Sequence, residues 1–269
     1  MARESRKTGK HWLDAIRRDW DARARENARA YINWPDVANE EGAFFVSGRE
    51  DYEKYVTPFF KRMRFDPQGK VGLEIGCGIG RIARRMVEDF GQYTGVDVSP
   101  EMIRKASSYQ LPGATFRVVS GGDLNGIANA SVDFVLSFAV FQHLPDQAAI
   151  FNYFAETARV LRPGGIFRLH MKGLWTLAMG RWQIEAGLSN GPSLAKKLLI
   201  KIPFVRLRYL DTWQGHSIRP GEALAKCQRL GLEVHDTEGA WTTMMWVGGR
   251  KESSSVNLAN TDRNPPRAI

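Results

Sequence analysis

From residue 70 the chain alternates short runs rich in Val, Ile and Phe with helical stretches, and the first run empties into a cluster of glycines. The pattern predicts strands at about 71–75, 93–98, 115–120, 132–138 and 166–171. Helices are expected between them at about 79–90, 100–109 and 145–161, and 121–130, rich in Gly and Asn, reads as a loop. Parallel strands need crossover connections, so this alternation implies an α/β chain with a doubly wound, mainly parallel sheet and helices on both faces. A helix at about 220–230 and strands at about 232–236 and 242–247 bring the expected sheet to seven strands, with an insertion after the fifth.

The glycines at 76, 78 and 80 in Leu73-Glu74-Ile75-Gly76-Cys77-Gly78-Ile79-Gly80-Arg81 permit a sharp turn and close approach of a ligand to the backbone, just ahead of a helix. Gly78-x-Gly80-x-x-Ala83, with Asp97 downstream, also satisfies the dinucleotide fingerprint, so an NAD-dependent oxidoreductase is one reading. Three acids favour another. Glu74, two residues before Gly76, would repel a pyrophosphate but suits a ligand bearing an amino group. Asp97 closes the second strand, where a carboxylate can accept both hydroxyls of a ribose. Asp123, in Gly122-Asp123-Leu124, follows the third strand and suits the exocyclic amine of adenine. Acids at three successive strand ends, with no basic residue for a phosphate, fit S-adenosylmethionine better than NAD.

Residues 73–81, 96–99, 122–124, 131–146 (SVDFVLSFAVFQHLPD) and 159–165 (RVLRPGG) resemble, in order and spacing, the class I S-adenosylmethionine-dependent methyltransferases of the type 11 group. The resemblance covers about 70–172 and 220–234. It implies a Rossmann-like fold, S-adenosyl-L-methionine as cofactor and S-adenosyl-L-homocysteine as product. It also implies that Glu74 and the backbone of Gly76, Cys77, Gly78 and Gly80 meet the methionine moiety, and that Asp97 holds the ribose. Val98 and Met102 would flank the adenine, Asp123 and the Leu124 amide would read its edge, and Phe138 would border the cofactor near the acceptor. The plainer alternatives are a surface acid at a strand end for Glu74 and a turn former for Asp123.

Methyl transfer is an in-line displacement at an already electrophilic carbon, so alignment in a dry site is the main task and can supply roughly 7–11 kcal/mol. A base is needed only when the acceptor must lose a proton. His143, in Phe141-Gln142-His143-Leu144-Pro145, is the candidate base, with a packing role as the alternative. His170 and His216 could line the acceptor pocket but read more simply as structural. The Asn/Asp-Pro-Pro-Tyr tetrapeptide of enzymes that methylate base amines is absent, Ser137-Phe138-Ala139-Val140 standing in its place. Neither Cys77 nor Cys227 is placed as a nucleophile, and no His/Cys/Asp spacing suggests a metal site.

Residues 1–65 read as an N-terminal helical lid segment, 66–252 as the methyltransferase domain with an acceptor-side insertion at 173–219, and 253–269 as a disordered tail. In the first segment, Trp12, Ala15, Ile16 and Trp20 share one face of a helix at 10–30, and Ser47 with Glu50 forms a capping box for a helix at 48–64. Six of the eight tryptophans lie in the N-terminal region or the insertion, which suggests an apolar or aromatic acceptor pocket between the two. The net charge of +9 resolves into +4 over 1–30, +5 over 191–210 and +2 over 250–269, leaving the body at −2. The basic amphipathic stretch 194–210 could touch a membrane surface or be an ordinary solvated face. An RNA or protein acceptor is an alternative drawn by these arms, but the body is neutral and no RNA module is recognisable, which argues against nucleic acid. No run approaches the roughly 18 apolar residues of a membrane span, and no apolar signal region opens the chain, so a cytoplasmic protein with reduced cysteines is expected. The leading expectation is a biosynthetic enzyme that methylates an O, N or C atom of a small molecule.

Overall fold

The computed structural model describes residues 2–33, 40–173, 215–239 and 244–253. Seven strands form one sheet: β1 (Val71–Ile75), β2 (Gln92–Asp97), β3 (Ala114–Val118), β4 (Val132–Ser137), β5 (Leu161–Met171), β6 (Leu232–Glu238) and β7 (Met245–Lys251). Their order is β3-β2-β1-β4-β5-β7-β6, with only β7 antiparallel to its neighbours. The central strands β1 and β4 are buried at nearly every position, which is why both read as almost continuous apolar runs. Strand order reverses between β1 and β4, and a sheet of this kind opens a crevice for ligands at that switch point.

The helices are α1 (Ala2–Ile32), interrupted at Asn27, then α2 (Glu41–Tyr55), α3 (Thr57–Met63), α4 (Ala83–Asp89), α5 (Pro100–Ser108), α6 (Gln147–Val160) and α7 (Pro220–Arg229). A short 3-10 turn, Phe141–His143, precedes α6. The doubly wound architecture is as expected, and the boundaries move in physically readable ways. Ser47 does not cap a helix. Phe44, Gly48 and Tyr52 fall four residues apart on one buried face, so α2 begins about two turns earlier than expected. The Ser47 hydroxyl instead donates to the Phe44 carbonyl at 2.7 Å and accepts from Asn33 Nδ2 at 2.7 Å. The Arg162-Pro163-Gly164-Gly165 turn is absorbed into β5, which starts at Leu161 opposite Val132 across a register shift. Residues 174–214 of the expected insertion at 173–219, with the basic amphipathic stretch 194–210, lie outside the described residues, as does the tail beyond 253. Among the described residues no helix is long and apolar enough to cross a membrane.

Helix α1 packs on the sheet domain through buried Ile16, Ala24 and Ala28. Asp21 Oδ1 accepts from the Ser99 hydroxyl at 2.8 Å and the Glu101 amide at 2.9 Å, which sets a carboxylate at the positive end of α5. Ser99 is itself the α5 cap, accepting from the Met102 amide at 3.1 Å. At the opposite sheet edge, fully buried Arg168 of β5 passes across β7 to Asp236 (2.6 Å) and Glu238 (2.7 Å) of β6. Gly248 makes that crossing possible, since a Cβ there would sit 2.6 Å from the Phe59 ring and 3.2 Å from Arg168 Cδ.

Candidate active site

A cavity of about 900 Å³ opens at the carboxyl ends of β1, β2 and β4. Glu74, Gly76, Cys77 and Gly78 form its floor, Asp97, Val98 and Met102 one end, and Phe138, Ala139 and His143 the other. Ile16, Trp20 and Ile32 of α1 and Asp51 and Tyr55 of α2 cover it. Residues far apart in the sequence therefore meet where the strand order reverses.

The floor owes its shape to glycine. Gly76, Gly78 and Gly80 have φ of +72°, +53° and +84°, the left-handed region that L side chains rarely adopt. A Cβ on Gly76 would lie 2.2 Å from Val140 Cγ2, so the first loop and the loop after β4 can touch only with glycine there. The Gly76 and Cys77 amides donate to the Val96 carbonyl (2.7 and 3.0 Å), and the Gly78 amide donates to Asp97 Oδ2 at 3.0 Å. Asp97 Oδ1 accepts from the Ser99 amide at 2.9 Å. Loss of hydration nonetheless pushes the Asp97 carboxyl up to about 6, against the pull of those amides.

Glu74 is 3% exposed, which rules out the surface-acid alternative. It pairs in register with Gly95, and Tyr93, Gly95 and Asp97 lie on one face of β2 by strand alternation. A Cβ on Gly95 would meet the Tyr93 hydroxyl at 2.7 Å, so the glycine clears the path by which that hydroxyl donates to Glu74 Oε2 at 2.5 Å. Burial pushes Glu74 up to about 7, opposed by the Tyr93 hydrogen bond and the Arg81 charge. Two carboxyls desolvated in one cavity without full compensation form a site for a ligand with a cationic group and hydroxyls. Burial also raises the Cys77 thiol well above its ordinary value and Cys227 to about 12, so neither is an activated nucleophile.

At the other end, Arg81 pairs with Asp51 at 2.6 Å and its guanidinium carbon lies 5.4 Å from the Phe138 ring centroid. Phe138 stacks on Trp246 (5.2 Å, 11°), and Tyr55 stacks on the same indole at 5.5 Å. His143 meets the Trp20 ring edge-on at 5.1 Å, and its Nε2 lies 3.2 Å from Gln142 Nε2. The cavity wall thus gathers Glu74, Gly76, Cys77, Gly78, Asp97, Val98, Met102, Phe138 and His143, all expected from sequence. Three expected residues are not on it. Gly80 serves the turn, packed near Phe116. Asp123 lies in the turn after β3, where its Oδ1 accepts from the Ser120 hydroxyl at 2.9 Å and the Asn125 amide at 3.1 Å. The Leu124 amide is taken by Glu156 Oε2 at 2.8 Å, and its side chain is fully buried, so it has no free donor for an adenine edge. Sequence reasoning missed Tyr93, Arg81, Asp51 and Tyr55. Tyr93 was findable, because the alternation Tyr93-x-Gly95-x-Asp97 places it beside the first-strand acid.

Residues 73–169 match the family model described as a methyltransferase domain. The fold is shared with magnesium protoporphyrin IX methyltransferase from Synechocystis, solved with bound S-adenosylhomocysteine (TM-score 0.61, 14% identity, 89% of this chain and 99% of that one). Residues 73–169 are a methyltransferase domain of the S-adenosylmethionine-dependent kind. Among relatives of this methyltransferase is the ubiquinone biosynthesis O-methyltransferase of Xanthomonas axonopodis pv. citri, 28% identical over 204 residues, which are 73% of this chain and 78% of that protein. The 2-methyl-6-phytyl-1,4-hydroquinone methyltransferase of Synechocystis is 33% identical over 102 residues, 37% of this chain and 31% of that protein. The chain therefore aligns with less than a third of that second relative's length.

Proposed function

We propose that this methyltransferase transfers a methyl group to a hydroxyl of a small, ring-bearing acceptor held between the cofactor and the Phe138 end of the cavity. The observation that carries the cofactor half is the pair of desolvated acids, Glu74 and Asp97, on either side of the glycine loop. Glu74 takes the amino group of the cofactor, Asp97 its ribose hydroxyls, and Val98 and Met102 flank the adenine. The bound cofactor supplies an electrophilic methyl group on a sulfonium centre. The chain's own task is then alignment and exclusion of water, and residues 1–65 serve it as a lid, α1 and α2 lying over the cavity. His143 takes the hydroxyl proton on a ring nitrogen as the acceptor is methylated. The hydroxyl and the ring are supported by two relatives whose names specify O-methylation in ubiquinone biosynthesis and methylation of a hydroquinone. The aromatic wall of Tyr55 and Phe138, backed by buried Trp246, supports such an acceptor. The test is incubation with methyl-labelled S-adenosylmethionine and 3,4-dihydroxybenzoate or a substituted hydroquinone, with mass spectrometry of the products. Transfer of label to a phenolic oxygen supports the reading. Labelling of amine acceptors but no phenol would overturn the hydroxyl assignment.

A further inference from the structure

The residue after Phe138 is held in a conformation its side chain disfavours. Ala139 has φ +58°, left-handed although it carries a Cβ. Its amide donates to His170 Nδ1 at 3.0 Å, a contact from the loop after β4 to the end of β5. That bond fixes Nδ1 as the acceptor, so the ring proton sits on Nε2. His170 has no room to move: it is fully buried, with its ring 5.6 Å from Phe138 and 5.0 Å from Trp246. The turn at Ala139 sets the course of residues 140–143. Val140 fills the space over Gly76, and the His143 amide donates to the Val140 carbonyl at 2.9 Å, so the 3-10 turn bearing His143 starts from it. The Gly215 amide donates to the Gln142 carbonyl at 2.7 Å and closes over the same turn.

We propose that His170 is a positioning residue: its Nδ1 holds Ala139 in the left-handed turn and thereby sets both Phe138 and His143 at the acceptor end of the cavity. The role is one of hydrogen-bond acceptance at a defined point, distinct from filling the space. Asparagine is the informative substitute, since its Oδ1 falls where Nδ1 stands and can accept from the Ala139 amide. Leucine fills similar space and cannot accept. Glycine at 139 adopts the turn without strain, so it should relieve the need for the acceptor.

The experiment uses the full chain saturated with S-adenosylhomocysteine and follows hydrogen exchange of the peptide containing residues 139–144. A second arm, which alone rests on the proposed hydroxyl acceptor, follows turnover of 3,4-dihydroxybenzoate. His170→Leu should raise exchange in that peptide at least tenfold and lower kcat at least tenfold, with S-adenosylhomocysteine affinity within about threefold of the parent. His170→Asn, and the double variant His170→Leu with Ala139→Gly, should return to within about threefold of the parent in both readouts. Equal losses in His170→Asn and His170→Leu, or no rescue by Ala139→Gly, would overturn the proposal, as would unchanged exchange in His170→Leu. If the parent protein turns over no phenol, the acceptor assignment fails while the exchange arm still decides the role of His170.

Discussion

Glu74→Gln should make the free protein more stable and the loaded protein weaker, two effects of opposite sign from one substitution. Burial raises the Glu74 carboxyl from its ordinary 4.5 to about 7. Its folded form thus binds a proton more tightly than its unfolded form, so stability is lost as pH rises from about 4.5 to about 7. At about 1.4 kcal/mol for each tenfold in proton affinity, the penalty above pH 7 is on the order of 3 kcal/mol. The amide still accepts from the Tyr93 hydroxyl but brings a buried N–H that needs a partner, which reduces the net gain to about 1–3 kcal/mol. For a chain of this size that corresponds to a rise in Tm of roughly 3–10 °C at pH 8. The gain should vanish at pH 4, where the carboxyl is protonated in both states. Binding moves the other way, because a charge-assisted hydrogen bond to the ligand's amino group is lost. S-adenosylhomocysteine should bind roughly 10–100-fold more weakly. Thermal melts at pH 4 and 8, with calorimetric titration at pH 8, give all three numbers. A lower Tm at pH 8 together with unchanged affinity would refute the reasoning, since Glu74 would then be a structural acid with no ligand.

Three further outcomes are expected. The affinity of the parent for S-adenosylhomocysteine should rise between pH 5.5 and 8, because Asp97 at about 6 and Glu74 at about 7 must ionise to bind it. Titrations in buffers of different ionisation enthalpy should accordingly show proton release near pH 6.5, and none would contradict the two-acid site. His143→Ala should lower turnover of a phenol by about 10²–10⁴-fold, the usual size of a general-base contribution, with cofactor affinity kept within twofold; undiminished turnover would make His143 a packing residue. Gly76→Ala meets both a φ of +72° and the Val140 side chain at 2.2 Å, so it should destabilise by roughly 2–4 kcal/mol, with partial recovery when Val140→Ala is added.

The parts of this site legible in the sequence are those with a local signature. Gly76, Gly78 and Gly80 announce a turn that only glycine makes easily, and Asp97 closes a strand whose end is marked by Ser99 and Pro100. The parts that were not legible depend on which distant element arrives. Arg81 acquires its role from Asp51 thirty residues away on α2, and His170 from an amide thirty-one residues before it. Asp123 shows the converse: its position in the chain suits an adenine, yet the Ser120 hydroxyl and the Asn125 amide engage it in the turn. The charge excess of 191–210 belongs to residues outside those described, and the neutral body carries the two acids on which the cofactor assignment rests.

The most direct test of that assignment is calorimetric titration of S-adenosylhomocysteine and of NADH into the parent protein and Asp97→Ala. The cavity between Glu74 and Asp97 predicts one S-adenosylhomocysteine site per chain, weakened well over tenfold by Asp97→Ala, and no heat with NADH. Saturable NADH binding, or S-adenosylhomocysteine affinity indifferent to Asp97, would contradict it.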